Sequence, residues 1–297
     1  MISAQDIVDR VDSLPPLPST ALKLMSAIND PQSTVDDIVD AIRYDQAVTA
    51  EVLRICNSAY FGLSRKVTSL NDAMLLLGTV KVLQLVMSVH TSTTLAREQE
   101  GYGLEPGALW KHSVAVAMAS SGLAQQLKLP NGSLVFTAGL LHDIGKVVLN
   151  ECVADSFAEI VRRVTEERLS FVEAEQQVLG FSHQEVGGMI ARQWELPEAI
   201  ERCIRFHHDP RELDPPDPFV DTVYLADCIC MLFGVGLGED GLYYRADQEV
   251  MVRHGLHEQN LEVVGAQMMT DLRRIEQLFT DAGSKGRPKT TRRSVGA

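Results

Sequence analysis

Seven side chains able to ligate a metal recur along one part of the chain: His112, His142, Asp143, His183, His207, His208 and Asp227. Five of the eight histidines fall between residues 112 and 208, with His142 beside Asp143 and His207 beside His208. Imidazoles combined with carboxylates that can bridge suit iron, manganese, zinc or nickel, and none of the five cysteines joins the set. This donor set predicts a carboxylate–histidine metal centre and not a thiolate structural site. The competing explanation is a series of unrelated buried hydrogen bonds, with His207 or His208 purely structural and Asp227 paired to an arginine. Each such group costs about 1–3 kcal/mol if buried unsatisfied. A shared ion compensates all of them at once, because neutral imidazole gives a lone pair and ionised Asp gives charge.

The elements that must position these groups are helices. Apolar residues recur at i, i+3 and i+4 almost throughout, and strand-like alternation is scarce, which predicts an all-α fold. Helices are expected over 4–13, from Ser19, from Ser33 or Thr34, and from Asp45; then over 69–77 and 79–97, hinged at Gly78. Further helices are expected over 107–128, 133–149, 155–168, 170–179, 183–195, 197–208, 218–234, 246–254 and 258–281. On this reading His142 and Asp143 lie inside one apolar helix, about 100° apart around its axis. His183 begins a helix, His207 and His208 end one, and Asp227 sits among apolar neighbours on another. His90, His254 and His257 are expected to be structural or exposed.

The polar, glycine-rich stretch from Glu98 to Pro106 is the best boundary. It predicts an N-terminal helical subdomain over 1–100, a metal-binding helical domain over 105–282 and a disordered basic tail over 283–297. The apolar stripe of Leu75, Leu76, Val80, Leu83, Leu85 and Val86 is expected between the two halves. Gly234, Gly236 and Gly238 lack the strand–loop–helix setting of a nucleotide fingerprint and are expected to form a flexible connector.

Composition narrows the class. Hydrophobic residues make up 45% and charged residues 23% of 297, enough to build a substantial core. Net charge is −13, and removing the five cations of the tail takes the body to −18, which argues against nucleic acid or an anionic membrane as partner. The N-terminus carries acids where a signal peptide needs bases, and the longest apolar run is interrupted by Lys81 and Gln84. Five cysteines in apolar settings are expected to be reduced thiols of a cytoplasmic protein.

His112, the His142-Asp143 pair and Asp227 resemble the H…HD…D pattern of the HD superfamily of metal-dependent phosphohydrolases, and Leu140–Lys146 is close to its most recognisable stretch. His183 and His207-His208 are similar to the fuller set of the HD-GYP phosphodiesterases. Leu14–Pro18, Asn57–Gly62, Ala73–Gly78, Leu109–Ser113 and Trp194–Pro197 resemble the HDOD domain, a helical output module of bacterial signalling proteins. The HDOD resemblance covers roughly residues 5–235.

The HD-GYP resemblance implies two divalent ions, one held by His112, His142, Asp143 and Asp227 and the other by Asp143, His183, His207 and His208. Iron is favoured, with manganese, zinc or nickel as alternatives. Such a pair activates water and stabilises charge on a phosphoryl group. If the protein is an enzyme, Asp143 and Lys146 are the catalytic candidates, with Lys146 near the phosphate. The chain departs from the HD-GYP pattern where Asp209-Pro210 follows His207-His208 and where Ala108 stands one turn before His112. The expectation is a regulatory HDOD-type signalling protein whose metal site takes a phosphorylated ligand, acting with a signalling protein partner. A metal-dependent phosphohydrolase or phosphodiesterase acting on a nucleotide or cyclic dinucleotide is the alternative.

Overall fold

The computed structural model describes residues 4–13, 19–29, 32–42, 45–58, 61–63, 65–130, 132–236 and 247–285. Among the described residues the regular structure is helical, with no strand and one isolated bridge between Gln99 and Leu104. The N-terminal part comprises α1 (Ala4–Ser13), α2 (Ser19–Asn29), α3 (Val35–Ile42), α4 (Gln46–Cys56), α5 (Leu70–Leu77) and α6 (Thr79–Leu95). Local caps set these starts. Thr34 and Asp37 exchange side-chain to backbone hydrogen bonds across the first turn of α3. Asp45 accepts from the Val48 N–H and Ser69 from the Asp72 N–H, so donors otherwise left open at helix starts are satisfied.

Gly78 separates α5 from α6 at φ 83°, and the two axes meet at 119°. No single helix among the described residues is long and apolar enough to cross a membrane. The expected interface stripe is only half buried. Leu83, Leu85 and Val86 are buried, whereas Leu75, Leu76 and Val80 are 75%, 37% and 46% exposed. The i, i+3, i+4 face of α5 is Leu70, Ala73 and Met74, which leaves Leu75 and Leu76 on the outer side of the helix.

Among the described residues nine α-helices follow: α7 (Ala108–Gln126), α8 (Gly132–Leu141), α9 (Ile144–Glu166), α10 (Phe171–Leu179), α11 (His183–Gln193), α12 (Glu198–Phe206), α13 (Pro218–Leu232), α14 (Gln248–Arg253) and α15 (Glu258–Lys285). α7 is the central rod, packed by α6, α8, α13 and α15. Its inward residues include Ser113, Ala115, Ala117, Ala119 and Ser120, small enough for close helix approach. α1 packs on α9 and α11, and α6 on α7, α8 and α9, so the N-terminal helices share the core of the later ones.

Two expectations are corrected here. The helices expected over 133–149 and 155–168 break at a different place: α9 runs unbroken from Ile144 to Glu166, and the interruption comes at His142-Asp143. The cause is tertiary. A side chain at Gly145 would overlap the His183 carbonyl, so the start of α9 is seated directly on the start of α11. Helix α15 also reaches Lys285, three residues into the expected tail, while 286–297 lie outside the described residues.

Candidate metal centre

Five places in the fold converge on one point. His112 lies in the second turn of α7, His142 and Asp143 form the turn between α8 and α9, and His183 is the first residue of α11. His207 and His208 follow the last turn of α12, and Asp227 lies within α13. The start of α11 is fixed by a reciprocal cap in which Ser182 accepts from the Glu185 N–H and Glu185 accepts from the Ser182 N–H. The break before α9 does similar work, letting His142 and Asp143 turn inward together instead of standing apart on a helical face.

The imidazole orientations are set from behind. Nδ1 of His112 donates to the Val235 carbonyl (3.0 Å), that of His142 to Gly139 (2.7 Å) and that of His207 to Ile204 (2.7 Å). Nδ1 of His183 donates to the Glu175 carboxylate at 2.7 Å. The Nε2 atoms of His112, His142 and His207 are thereby turned to the interior with no hydrogen-bond partner, where they can bind a metal.

Asp143 divides its oxygens between two groups. Oδ1 lies 3.5 Å from His183 Nε2 and 3.6 Å from His207 Nε2. Oδ2 lies 3.3 Å from His142 Nε2 and 3.7 Å from His112 Nε2, and accepts from Lys146 Nζ at 2.6 Å. Asp227 Oδ1 stands 3.0 Å from His112 Nε2 and 3.9 Å from His142 Nε2, and its Oδ2 stands 3.8 Å from His208 Nδ1. His208 Nε2 is 3.1 Å from His183 Nε2, a separation at which the two rings share a proton or a cation. Candidate ligand atoms of Asp143, His183, His207 and His208 all lie within 4.8 Å of one another, as do those of His112, His142 and Asp143. All seven predicted ligands are thus brought together, and Lys146 with them.

The cluster is built for positive charge. Six of the eleven buried side-chain polar atoms left without a hydrogen-bond partner among the described residues belong to it: Nε2 of His112, His142 and His207, Asp143 Oδ1, and both oxygens of Asp227. Lone pairs facing carboxylate oxygens repel, and each unsatisfied group costs about 1–3 kcal/mol. A cation among them removes both penalties, so the residues present fit a metal ion.

The protonation tendencies point the same way. Burial, the largest influence on Asp143, pushes its carboxyl up, but the neighbouring His142, Lys146 and His207 hold it well below the usual range. Burial likewise raises Asp227, and His112 overcomes it, so this carboxyl is also lowered. For His112, burial is outweighed by Asp227 and Asp143, and for His183 by Glu175 and Asp143, so both are raised. The acids draw positive charge onto these rings. Burial dominates at His207, pulling it down to about 4, and His208 falls well below its ordinary value for the same reason.

Three contributors are absent from the sequence-derived set. Glu175 is fully buried and orients His183, and Tyr102 donates to Glu175 Oε1 at 2.6 Å. Glu175 was detectable as an acid on the apolar face of α10, in register with Phe171 and Ala174. The third is the start of the expected connector. Val235 supplies the acceptor for His112, and a Cβ at Gly236 would stand 2.5 Å from His112 Cβ. Gly234–Gly236 is thus a backing for the site, whereas 237–246, including Gly238, lie outside the described residues. His254 donates to the buried Asp221 and ties α14 to α13, His257 is exposed, and the side chain of His90 lies outside the described set.

An all-α body with a buried carboxylate–histidine cluster at the meeting point of its helices defines the class. The chain matches the HDOD domain over residues 14–210 and belongs to that family. The crystal structure of an HDOD domain protein of unknown function from Geobacter sulfurreducens is 28% identical, with TM-score 0.67 and coverage of 95% of this chain and 94% of that one. A Shewanella amazonensis protein provisionally named a phosphohydrolase shares the fold at 22% identity, with TM-score 0.65 and coverage of 90% and 97%. An uncharacterized protein of Treponema pallidum (strain Nichols) is 28% identical over 228 residues, which is 75% of this chain and 43% of that protein. The chain spans less than half the length of the curated relatives it matches.

Proposed function

We propose that this chain is a cytoplasmic regulatory protein of bacterial signal transduction, in which two divalent ions, iron foremost, tie five helical elements together. One ion is assigned to His112, His142, Asp143 and Asp227, the other to Asp143, His183, His207 and His208. The observation that carries this reading is enclosure. Six of the seven side chains are no more than 3% exposed and His208 is 9% exposed, while they come from α7, the α8–α9 turn, α11, the end of α12 and α13. A cation held there acts as a cross-link whose gain or loss biases helix packing, and with it the surface offered to a signalling partner.

A second reading is favoured by the split carboxylate of Asp143 and the ammonium beside it. Two ions sharing one carboxylate supply Lewis-acid activation of water and stabilisation of phosphoryl charge. In a metal-dependent phosphohydrolase acting on a nucleotide, Asp143 spans the two positions and Lys146 adds a cation for a phosphate.

Elemental analysis of purified protein beside His142→Ala and Asp143→Ala separates these readings when paired with a panel of nucleotides and cyclic dinucleotides. Two equivalents of metal, lost in both variants, with no turnover, are expected for the regulatory role. Turnover abolished by the same substitutions in folded protein replaces it with the enzyme. Absence of metal from protein purified without chelator and reloaded with Fe²⁺, Mn²⁺, Zn²⁺ or Ni²⁺ overturns both.

A further inference from the structure

The two ligand groups are unequal in direct carboxylates. His112 and His142 face Asp227 Oδ1 at 3.0 and 3.9 Å as well as Asp143 Oδ2. His183 and His207 face one carboxylate oxygen, Asp143 Oδ1, at 3.5 and 3.6 Å, and Asp227 comes no nearer to His208 than 3.8 Å. What the second group has instead stands behind a ligand. The Nδ1 atoms of His112, His142 and His207 donate to backbone carbonyls, whereas that of His183 donates to Glu175.

Glu175 is held at both oxygens. Oε2 accepts from the His183 ring at 2.7 Å and from the His183 N–H at 3.0 Å, while Oε1 accepts from the Tyr102 hydroxyl at 2.6 Å. Three donors thus converge on the two oxygens of one carboxyl. Tyr102 is itself immobilised, fully buried against the Phe171 ring at 5.7 Å and the His183 ring at 6.3 Å. A carboxylate behind an imidazole makes the opposite nitrogen a stronger metal donor and passes part of its charge to the ion.

We infer that Glu175 is a positioning residue that gives the His183–His207–His208 metal position the negative charge Asp227 gives the other position directly. This deepens the two-ion reading above and rests on it. Removing the charge of Glu175 therefore weakens one binding step and spares the other.

The test uses the full chain, stripped with chelator and titrated with Mn²⁺, with free Mn²⁺ followed by electron paramagnetic resonance and heat by calorimetry. Wild type is expected to take up two equivalents. Glu175→Gln keeps the shape and an acceptor for His183 while removing the charge, and is expected to weaken one step about 10- to 100-fold with the other unchanged. Because the effect passes through His183, Glu175→Gln added to His183→Ala is expected to change nothing further. Equal weakening of both steps, weakening of neither, or additive loss in the double variant overturns the inference. Circular dichroism checks folding; should Glu175→Gln not fold, Tyr102→Phe removes only the Oε1 donor and is expected to shift the same single step. No Mn²⁺ uptake by wild type is a separate result, which removes the two-ion reading itself.

Discussion

Asp143 Oδ2 lies 2.6 Å from Lys146 Nζ, and both groups are buried inside the cluster. Without a metal, this ammonium offsets part of the buried negative charge. Lys146→Met keeps much of the packed stem and removes the cation, leaving Asp143 uncompensated. Breaking a buried pair from one side costs about 3–5 kcal/mol. The stripped variant is expected to lose stability on that scale, and the metal-loaded variant much less, because the ion takes over the compensation. Urea unfolding of wild type and Lys146→Met in both states measures this. An equal loss in the two states contradicts it.

The depressed His207 fixes the sign of one pH dependence. The unfolded ring takes a proton near its ordinary 6.5, whereas burial delays protonation in the folded chain to about 4. The unfolded state then binds more protons between these values, so the contribution is complete above pH 6.5 and lost as pH falls through about 4. His208 acts in the same sense. His112 and His183, raised by Asp227 and Glu175, act oppositely: they stabilise below 6.5 and lose this as pH rises through their raised values. In stripped protein His207→Gln is expected to flatten the acid-side loss of stability, and His112→Gln to flatten the loss that sets in above pH 6.5. Unfolding midpoints measured from pH 4 to 8 decide between these slopes.

Two glycines predict opposite outcomes. A Cβ at Gly145 would overlap the His183 carbonyl and come within 2.8 Å of the Gly187 nitrogen, both backbone atoms with no room to yield. Gly145→Ala is expected to cost about 3 kcal/mol or more and to reduce metal content, because it separates Asp143 from His183. At Gly188 an added Cβ meets the Arg205 side chain at an ordinary 3.5 Å. Gly188→Ala is therefore expected to be neutral or to gain up to about 1 kcal/mol from helix propensity. Denaturation midpoints and metal analysis of the pair provide the comparison.

Gly145 also marks where the sequence stops being legible. The members of the cluster could be read because polar groups in apolar surroundings need a compensating partner, and all seven side chains converge. The place of the helix break could not, because Leu140–Leu149 looks continuously helical and the interruption depends on how α9 meets α11. Backbone acceptors leave no trace in side-chain identity, so Val235 behind His112 was invisible. Glu175 was visible as an acid on an apolar stripe, but its partner His183 is eight residues away on the next helix. Leu75 and Leu76 misled for a related reason: an unbroken apolar run hides which side of a short helix faces in.

Metal removal should loosen the fold where its elements meet. The segments that carry these side chains meet at the cluster, where Nε2 of His112, His142 and His207 faces carboxylate oxygens with no hydrogen-bond partner. Protonation relieves this at His112 but is resisted at His207. An ion that binds only the native state adds about 2.7 kcal/mol at one hundred times its dissociation constant. Chelation is therefore expected to raise amide exchange around His112, at residues 142–146, at the start of α11, after α12 and around Asp227. The α2–α4 segment contributes no ligand and packs mainly within the N-terminal part, so its exchange should hold steady. Mass-spectrometric exchange before and after chelation tests this directly. A uniform change across the chain describes global destabilisation, whereas a change confined to the five ligand segments is what a regulatory cross-link requires.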